Sequence, residues 1–291
     1  MDIVFVILHY LAIEETKQSV KYIQNDIDTE KYHIVIVDNA SNNGSGREIQ
    51  EYYSRDEDIT VIINVENLGF SRGNNVGFSY AKQRWNPRYI VLMNNDVYLL
   101  EKQLIHKLNI EYEKSYFAVL GPLIMTADGR CDINPIRTSP MTKQQVLNDI
   151  KTYRRRRRLY QYHLMGLRNI ALRVLKGTAK KRVYKNYIQR TEHAQLHGCF
   201  MVFSSRYTER FEGLDDRTFL FREEAILYKH MLENGLNTVY LPDIAIFHKE
   251  DAATDQIVRT KRSKALFEIE NHLKSLDVLL KIYEEYENQE E

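Results

Sequence analysis

Four short apolar runs punctuate the first hundred residues: Ile3 to Leu8, Ile34 to Val37, Thr60 to Ile63 and Tyr89 to Met93. Each is rich in β-branched residues and bounded by polar ones, which predicts a strand. Between them, Glu14 to Asn25, Gly46 to Ser54 and Ser71 to Arg84 have the length and apolar spacing of helices. The order βαβαβαβ implies a mostly parallel sheet with right-handed crossovers. In such a sheet the residues that follow each strand gather at one edge, where open α/β proteins bind ligands. Here those residues are His9-Tyr10, Asp38 to Ser41, Asn64 to Asn67 and Asn94-Asn95-Asp96, enough to outline a nucleotide-sized cleft.

The last cluster carries the most chemistry. Tyr89 to Val97 is an apolar run that stops at two amides and a carboxylate. Oxygen ligands suit a hard cation such as Mg2+ or Mn2+, and a single carboxylate leaves coordination positions for a substrate's phosphates. Asp96 is therefore a candidate metal-diphosphate anchor, although the same three residues also suit a turn or an Asx cap. Asp38 can accept hydrogen bonds from a base imide or a ribose hydroxyl. The glycines of Asn67 to Gly77 would permit close backbone approach where a helix N-terminus can face a diphosphate, or would only shape a turn. No Gly-Lys-Ser/Thr follows, so this is not a Walker loop.

Composition narrows the class. With 291 residues, 43% hydrophobic and 28% charged, the chain can bury a substantial core as one large or two small domains. The first apolar run lacks a basic leader, and no stretch approaches the roughly 18 apolar residues that span a bilayer. A cytoplasmic location is expected. Cys131 and Cys199 are too few and too far apart for a disulfide framework or a zinc site.

A net charge of +1 hides an asymmetry, because no Asp or Glu lies between Lys151 and Arg190 while the chain ends in Glu290-Glu291. Tyr153, Leu159, Tyr160, Leu164 and Leu167 are interleaved with the basic residues, as in an amphipathic helix. An anionic membrane surface is the favoured partner of this segment and nucleic acid the less favoured one; a solvated face needs no partner at all. Arg262 to Glu287 is predicted to form one or two amphipathic helices that serve packing or subunit association, including a homo-oligomer.

The succession Val-Ile-Leu-His-Tyr, Val-Asp-Asn-Ala-Ser-Asn-Asn-Gly-Ser, Asn-Leu-Gly-Phe-Ser-Arg-Gly-Asn-Asn-Val-Gly and Leu-Met-Asn-Asn-Asp-Val resembles the nucleotide-binding half of family-two inverting glycosyltransferases, particularly their bacterial rhamnosyltransferase-like branch. The resemblance implies a single α/β domain of GT-A type, with a helical basic insertion and C-terminal helices added to it. By position it puts His9, Tyr10, Asp38, Asn67, Gly69, Arg72, Asn75, Asn94 and Asn95 around a nucleotide diphosphate sugar, with Asp96 and His248 at a Mg2+ or Mn2+ ion. Leu196 to Phe203 and Phe211 to Leu227 are similar to the acceptor side, implying Gly198, Cys199, Asp215 and Glu223 near the acceptor and Glu224 as catalytic base. Ile226 departs from the family, which often has an Asp there, and the base is a Glu rather than an Asp.

The implied layout is a nucleotide-sugar half over 1–125, an acceptor half over 126–250 with the basic insertion 151–190, and a helical tail over 251–291. The implied activity is metal-dependent transfer of a hexosyl or rhamnosyl group to a surface or capsular polysaccharide, its acceptor polyprenyl-linked and the enzyme peripheral at the inner face of the membrane. A nucleotidyltransferase would share the sheet and the metal carboxylate, but His9-Tyr10-Leu11-Ala12 is not its Gly-rich, basic first loop. A nucleic-acid-binding protein would leave the Asn-Asn-Asp cleft unexplained. A catalytically dead scaffold would keep the fold and lose the metal.

Overall fold

The computed structural model describes residues 1–163, 187–249 and 260–290. Strands β1 (Ile3–His9), β2 (Tyr32–Asp38), β3 (Ile59–Ile63) and β4 (Tyr89–Asn94) alternate with helices α1 (Ile13–Asp26), α2 (Ser45–Tyr52) and α3 (Gly69–Trp85). These four strands are parallel and lie in the order β3-β2-β1-β4. The chain steps outward from β1 to β3 and returns on the other side of β1 as β4, which opens a crevice at the carboxyl ends of β1 and β4. Ile3 to Ile7 and Ile34 to Val37 are 0% exposed. Burial on both faces explains why these runs are continuous rather than alternating.

The second half extends the sheet but changes its character. It contributes β5 (Val97–Leu99), β6 (Val119–Thr126), β7 (Thr191–Glu192), β8 (Phe200–Ser204) and β9 (Thr238–His248), separated by α4 (Leu104–Ser115), α5 (Lys143–Gln161), α6 (Ser205–Thr208) and α7 (Glu223–Glu233). Among the described residues the path across the sheet is β3-β2-β1-β4-β8-β6-β9-β5, with β7 on β9. The sheet is parallel in the first half, as the strand-helix alternation predicts, and mixed beyond it: β8 runs against β4 and β6, and β9 runs with β6. This geometry gathers the site. Because β9 shares the direction of β4, His248 ends at the same edge as Asn94; because β8 is reversed, that edge also receives the residues preceding it, Gly198 and Cys199.

Helices cover both faces. Val20, Ile23, Ile49 and Leu108 pack with Phe5 and Val91 on one face, and Phe78, Ala81, Leu227 and Met231 pack with Val6 and Phe203 on the other. A third cluster joins α5 to α8 (Lys261–Glu290) through Val146, Ile150, Leu273 and Leu276 and includes Ala225 and Ile226 of α7. Helix α7 is thus held between the sheet and the α5–α8 pair. Ile226 is 1% exposed there, so an Asp at this position would put a charge into an apolar cluster.

The predicted C-terminal helices are one helix. The basic insertion does contain a helix, but α5 begins at Lys143, ahead of the basic run, with a capping box between Thr142 and Gln145. Its basic residues are partly engaged: Arg157 lies 3.3 Å from Glu270, Arg154 4.0 Å from Asp277 and Lys143 2.6 Å from Glu287. The rest of the expected insertion, residues 164–186, lies outside the described residues.

Candidate active site

On the β1–β2 side of the edge, polar groups satisfy one another. His9 is 0% exposed; its Nδ1 lies 2.7 Å from Thr16 Oγ1 and its Nε2 2.8 Å from Ser45 Oγ. Burial pushes the imidazole down to about 4, so it is neutral at pH 7. Asn95 donates from Nδ2 to the carbonyl of Ala12 and to Thr16 Oγ1, both at 3.1 Å. Both ring nitrogens of His9 and the amide nitrogen of Asn95 are thus taken, and both side chains tie the start of α1 to the sheet. Asp38 accepts from the Ser41 N–H at 3.2 Å, and burial pushes its carboxyl up against that opposing bond. A Cβ on Gly46 would come 2.1 Å from Asp38 Oδ2, so glycine is what lets α2 close over the carboxylate.

The glycine loop is likewise committed. The N–H groups of Leu68, Gly69 and Phe70 donate to Asn39 Oδ1, Asn67 Oδ1 and the Phe219 carbonyl at 3.0, 2.9 and 2.7 Å. The expected diphosphate cradle at the start of α3 therefore has its first amides already satisfied. Gly69 is required for another reason: its φ is +80° and a Cβ would lie 2.2 Å from the Phe219 carbonyl oxygen. Tyr10, Asn67 and Gly69 line a small pocket of about 290 Å³ with Phe219 and Phe267. Asn39, which carried no assigned role in the sequence, organises this loop by donating to Asn67 Oδ1 and to the Gly69 carbonyl, both at 3.0 Å.

The β4–β9 side is different. Asp96 and His248 are 6% and 8% exposed, and His248 Nε2 lies 3.3 Å from Asp96 Oδ1. The approach is close enough for an ion pair but not aligned as a hydrogen bond, and both Asp96 Oδ1 and His248 Nδ1 are buried without a hydrogen-bond partner. Buried polar atoms are seldom left so unless a ligand or ion takes them. An Asp–His pair supplies two donors of the kind a divalent cation accepts, and the remaining positions would have to come from substrate oxygens; among the described residues no group of three or more His, Cys, Asp or Glu could hold a metal by itself. The adjacent Lys249 is committed to Glu15 at 2.5 Å.

Glu224 lines a cavity of about 460 Å³ together with Asn94, His197, Gly198, Cys199 and Glu223. The first turn of α7 presents it, and the Gly198 N–H donates to its Oε1 at 3.3 Å. A Cβ on Gly198 would stand 3.1 Å from that oxygen, so the glycine leaves room for the carboxylate. Glu223 is 7% exposed, and its Oε1 lacks a partner. Burial, then the negative charge of Glu224, pushes the Glu223 carboxyl up to about 8. His197, within the Leu196 to Phe203 segment, has no role assigned from the sequence; its ring lies 6.0 Å from that of His248 and links the cavity to the Asp96 pair. The apolar turn before β8 was the available signal.

Three expected site residues are used elsewhere. Asn75 is paired with the backbone of Leu214 through both ends of its amide, at 2.7 and 2.8 Å. Arg72 donates from Nε to the Asp216 carbonyl at 2.9 Å. Asp215 lines a separate cleft with His230 and Arg217. Burial opposes its ionisation, but hydrogen bonds from His230 and Arg217 outweigh this and hold its carboxyl well below the usual range. These residues tie α3 to the loop before α7 rather than joining Glu224.

A family model for glycosyl transferase family 2 matches residues 5–175. The low-salt glycan biosynthesis hexosyltransferase Agl10 of Haloferax volcanii is 24% identical over 234 residues, covering 80% of this chain and 62% of that protein. The chain thus spans under two thirds of the length of this curated relative. Among solved structures, S. aureus TarS 1-349 in complex with UDP-GlcNAc aligns with 92% of this chain and 64% of its own at 12% identity and a TM-score of 0.55. GalNAc-T7 with UDP, GalNAc and Mn2+ aligns with 92% and 47% at 13% identity and a TM-score of 0.57. The shared mixed α/β architecture is the GT-A fold. No helix of the described residues is long and apolar enough to cross a membrane.

Proposed function

The chain belongs to glycosyl transferase family 2, and from that premise we propose that it transfers a hexosyl or rhamnosyl group, with inversion, from a nucleoside diphosphate donor to a saccharide hydroxyl. One observation carries the reading: Glu224 and Asn94 line the same cavity, and Asn94 is the end of the strand that leads to the partnerless Asp96 oxygen. A general base and a diphosphate anchor are the two things this chemistry needs close together.

Glu224 takes the proton of the attacking hydroxyl, a role that contributes roughly 10²–10⁴-fold. The Gly198 N–H fixes one of its oxygens. Burial and the neighbouring Glu224 carboxylate favour the protonated form of Glu223. Asp96 and His248 would hold Mg2+ or Mn2+, which when bound offsets charge on the departing diphosphate. Asp38 and Tyr10 face the nucleoside end, Asn94 the diphosphate, and Gly198 and Cys199 the acceptor. His9, Asn95 and Asn75 act by positioning.

Release of nucleoside diphosphate from a panel of uridine and thymidine diphosphate sugars, with and without saccharide acceptors, tests this. One donor should be turned over, faster with acceptor; a panel that neither binds nor turns over overturns the proposal.

The acceptor in this reading belongs to a surface polysaccharide on a polyprenyl carrier, at the inner face of the membrane. Lys151, Arg154, Arg155 and Arg158, exposed along α5, would contact anionic headgroups. Each such residue can add on the order of 1 kcal/mol at low salt. Replacing Arg154, Arg155 and Arg158 with Gln should reduce sedimentation with anionic vesicles while donor hydrolysis persists; wild-type protein that ignores such vesicles at low salt removes the membrane from the proposal.

A further inference from the structure

One wall of the Glu224 cavity combines a residue of the acceptor-side segment with two from helices that the motifs do not include. Tyr153 comes from α5, His272 from α8, and Arg222 from the residue before α7. Phe221 and Arg222 both adopt left-handed backbone, with φ of 71° and 70°. Such residues cost of order 1 kcal/mol each and persist where the surroundings hold them. Here the turn directs Arg222 toward α5, where Nη2 lies 3.1 Å from Asp149 Oδ2.

Positive charge gathers around Tyr153, from Arg222 in the cavity lining and from Arg156 just outside it, although the carboxylates of Glu223 and Glu224 also line the cavity. The Arg222 guanidinium lies 5.9 Å from the centre of the Tyr153 ring and that of Arg156 5.5 Å from the same centre. Two cations therefore converge on one phenol ring. Asp149 answers Arg222 and is 39% exposed, while the neighbouring ion pairs of α5 belong to Arg154 and Arg157. Arg222 Nε is buried with no hydrogen-bond partner. His272, stacked on Phe221 at 4.1 Å and tilted on Tyr153 at 4.6 Å, adds no positive charge, because burial and then the two arginines push its imidazole down to about 4. Guanidinium groups present planar donors that match carboxylate and phosphate oxygens.

We propose that the acceptor carries an anionic group, a carboxylate or a phosphate, which Arg222 binds beside Tyr153, with the nearby Arg156 adding to the positive field, while its hydroxyl reaches Glu224. The proposal rests on the glycosyl-transfer reading, because it assigns the cavity to the acceptor. A charge-assisted hydrogen bond contributes about 1.5–3 kcal/mol, so preference for the anion should be roughly tenfold or more.

Ligand-observed NMR with glucuronate, glucose 1-phosphate and glucose tests it, using protein treated with EDTA so that no metal can hold the anion. One or both anionic sugars should bind at least roughly tenfold more tightly than glucose. The better of the two identifies carboxylate or phosphate as the recognised group. Arg222→Gln and Arg156→Gln should each reduce that preference, with thermal unfolding confirming that both variants are folded; Arg156→Gln alters the more peripheral residue and serves if Arg222→Gln does not fold. Equal binding of all three sugars, no binding of any, or a preference that survives in the folded variants overturns the proposal. Titrating untreated protein with UDP and Mn2+ separates the two readings. Failure there with an intact anion preference removes the transferase reading and leaves the anion site standing.

Discussion

Two stretches of one sheet edge have opposite hydrogen-bonding states. His9 and Asn39, at the ends of β1 and β2, and Asn95, just past the end of β4, are buried and engaged with neighbours from α1, α2 and the loop before α3. At the ends of β4 and β9 and the start of α7, Asp96 Oδ1, His248 Nδ1 and Glu223 Oε1 are buried with no partner. Leaving a buried polar atom unpaired costs about 1–3 kcal/mol, so the second stretch is shaped for something the chain itself does not supply. In the proposed reading, His9, Asn39 and Asn95 act as scaffold, and Asp96, His248 and Glu224 as machinery. Sequence motifs mark both alike; the hydrogen bonds of His9, Asn39 and Asn95 set them apart from Asp96 and His248, although Ser71 Oγ and Asn74 Oδ1 at the start of α3 are also buried without a partner.

The largest expected effect sharpens the machinery side. Glu224→Gln keeps the shape of the side chain and removes the base, so turnover should fall by about 10²-fold or more while donor affinity stays near wild type. Near-normal turnover would move the base to another carboxylate. Next comes the α5–α8 cover over α7. Ile226→Asp restores a residue often found in relatives but places a carboxylate in an apolar cluster, and should destabilise the protein by about 3 kcal/mol or more in denaturant unfolding. A loss below about 1 kcal/mol would mean that α8 does not seal that face.

A pH-dependent effect concerns Glu223, whose carboxyl is raised in the folded state to about 8 from 4.5. The folded protein holds this proton after the unfolded chain has released it, so its contribution to stability is complete below pH 4.5 and is lost as pH rises through 8. Glu223→Gln should therefore be more stable than wild type at pH 8.5, with the gap closing toward pH 4.5. A gap that does not change with pH would show that Glu223 ionises freely in the fold.

Much of this was legible in the chain. The continuous β-branched runs gave the four parallel strands, and the residues after them gave the edge, because period and direction are local properties. Motif position also singles out Glu224, Asp96 and His248, and the fold brings Asp96 to within 3.3 Å of His248. The commitment of His9 to Thr16 and Ser45, and of Asn75 to Leu214, was not, since hydrogen bonds across 7, 36 and 139 residues leave no spacing signal. The antiparallel entry of β8 was hidden for the same reason. Arg222 and His272 meet Tyr153 only because α8 folds back over α5. By contrast, the true start of α5 was readable in Thr142-Lys143-Gln144-Gln145, an N-terminal capping pattern that the neighbouring arginine run overshadowed.

The most direct test of the division between scaffold and machinery is a calorimetric titration of UDP, with and without Mn2+, into wild type, Asp96→Ala and His9→Gln. Asp96→Ala should lose the metal-dependent part of the affinity and remain folded. His9→Gln should be less stable by about 1–2 kcal/mol, from the loss of a buried hydrogen bond, yet bind UDP within a few-fold of wild type. Unchanged metal-dependent affinity in Asp96→Ala, or its loss in a folded His9→Gln, would contradict the division.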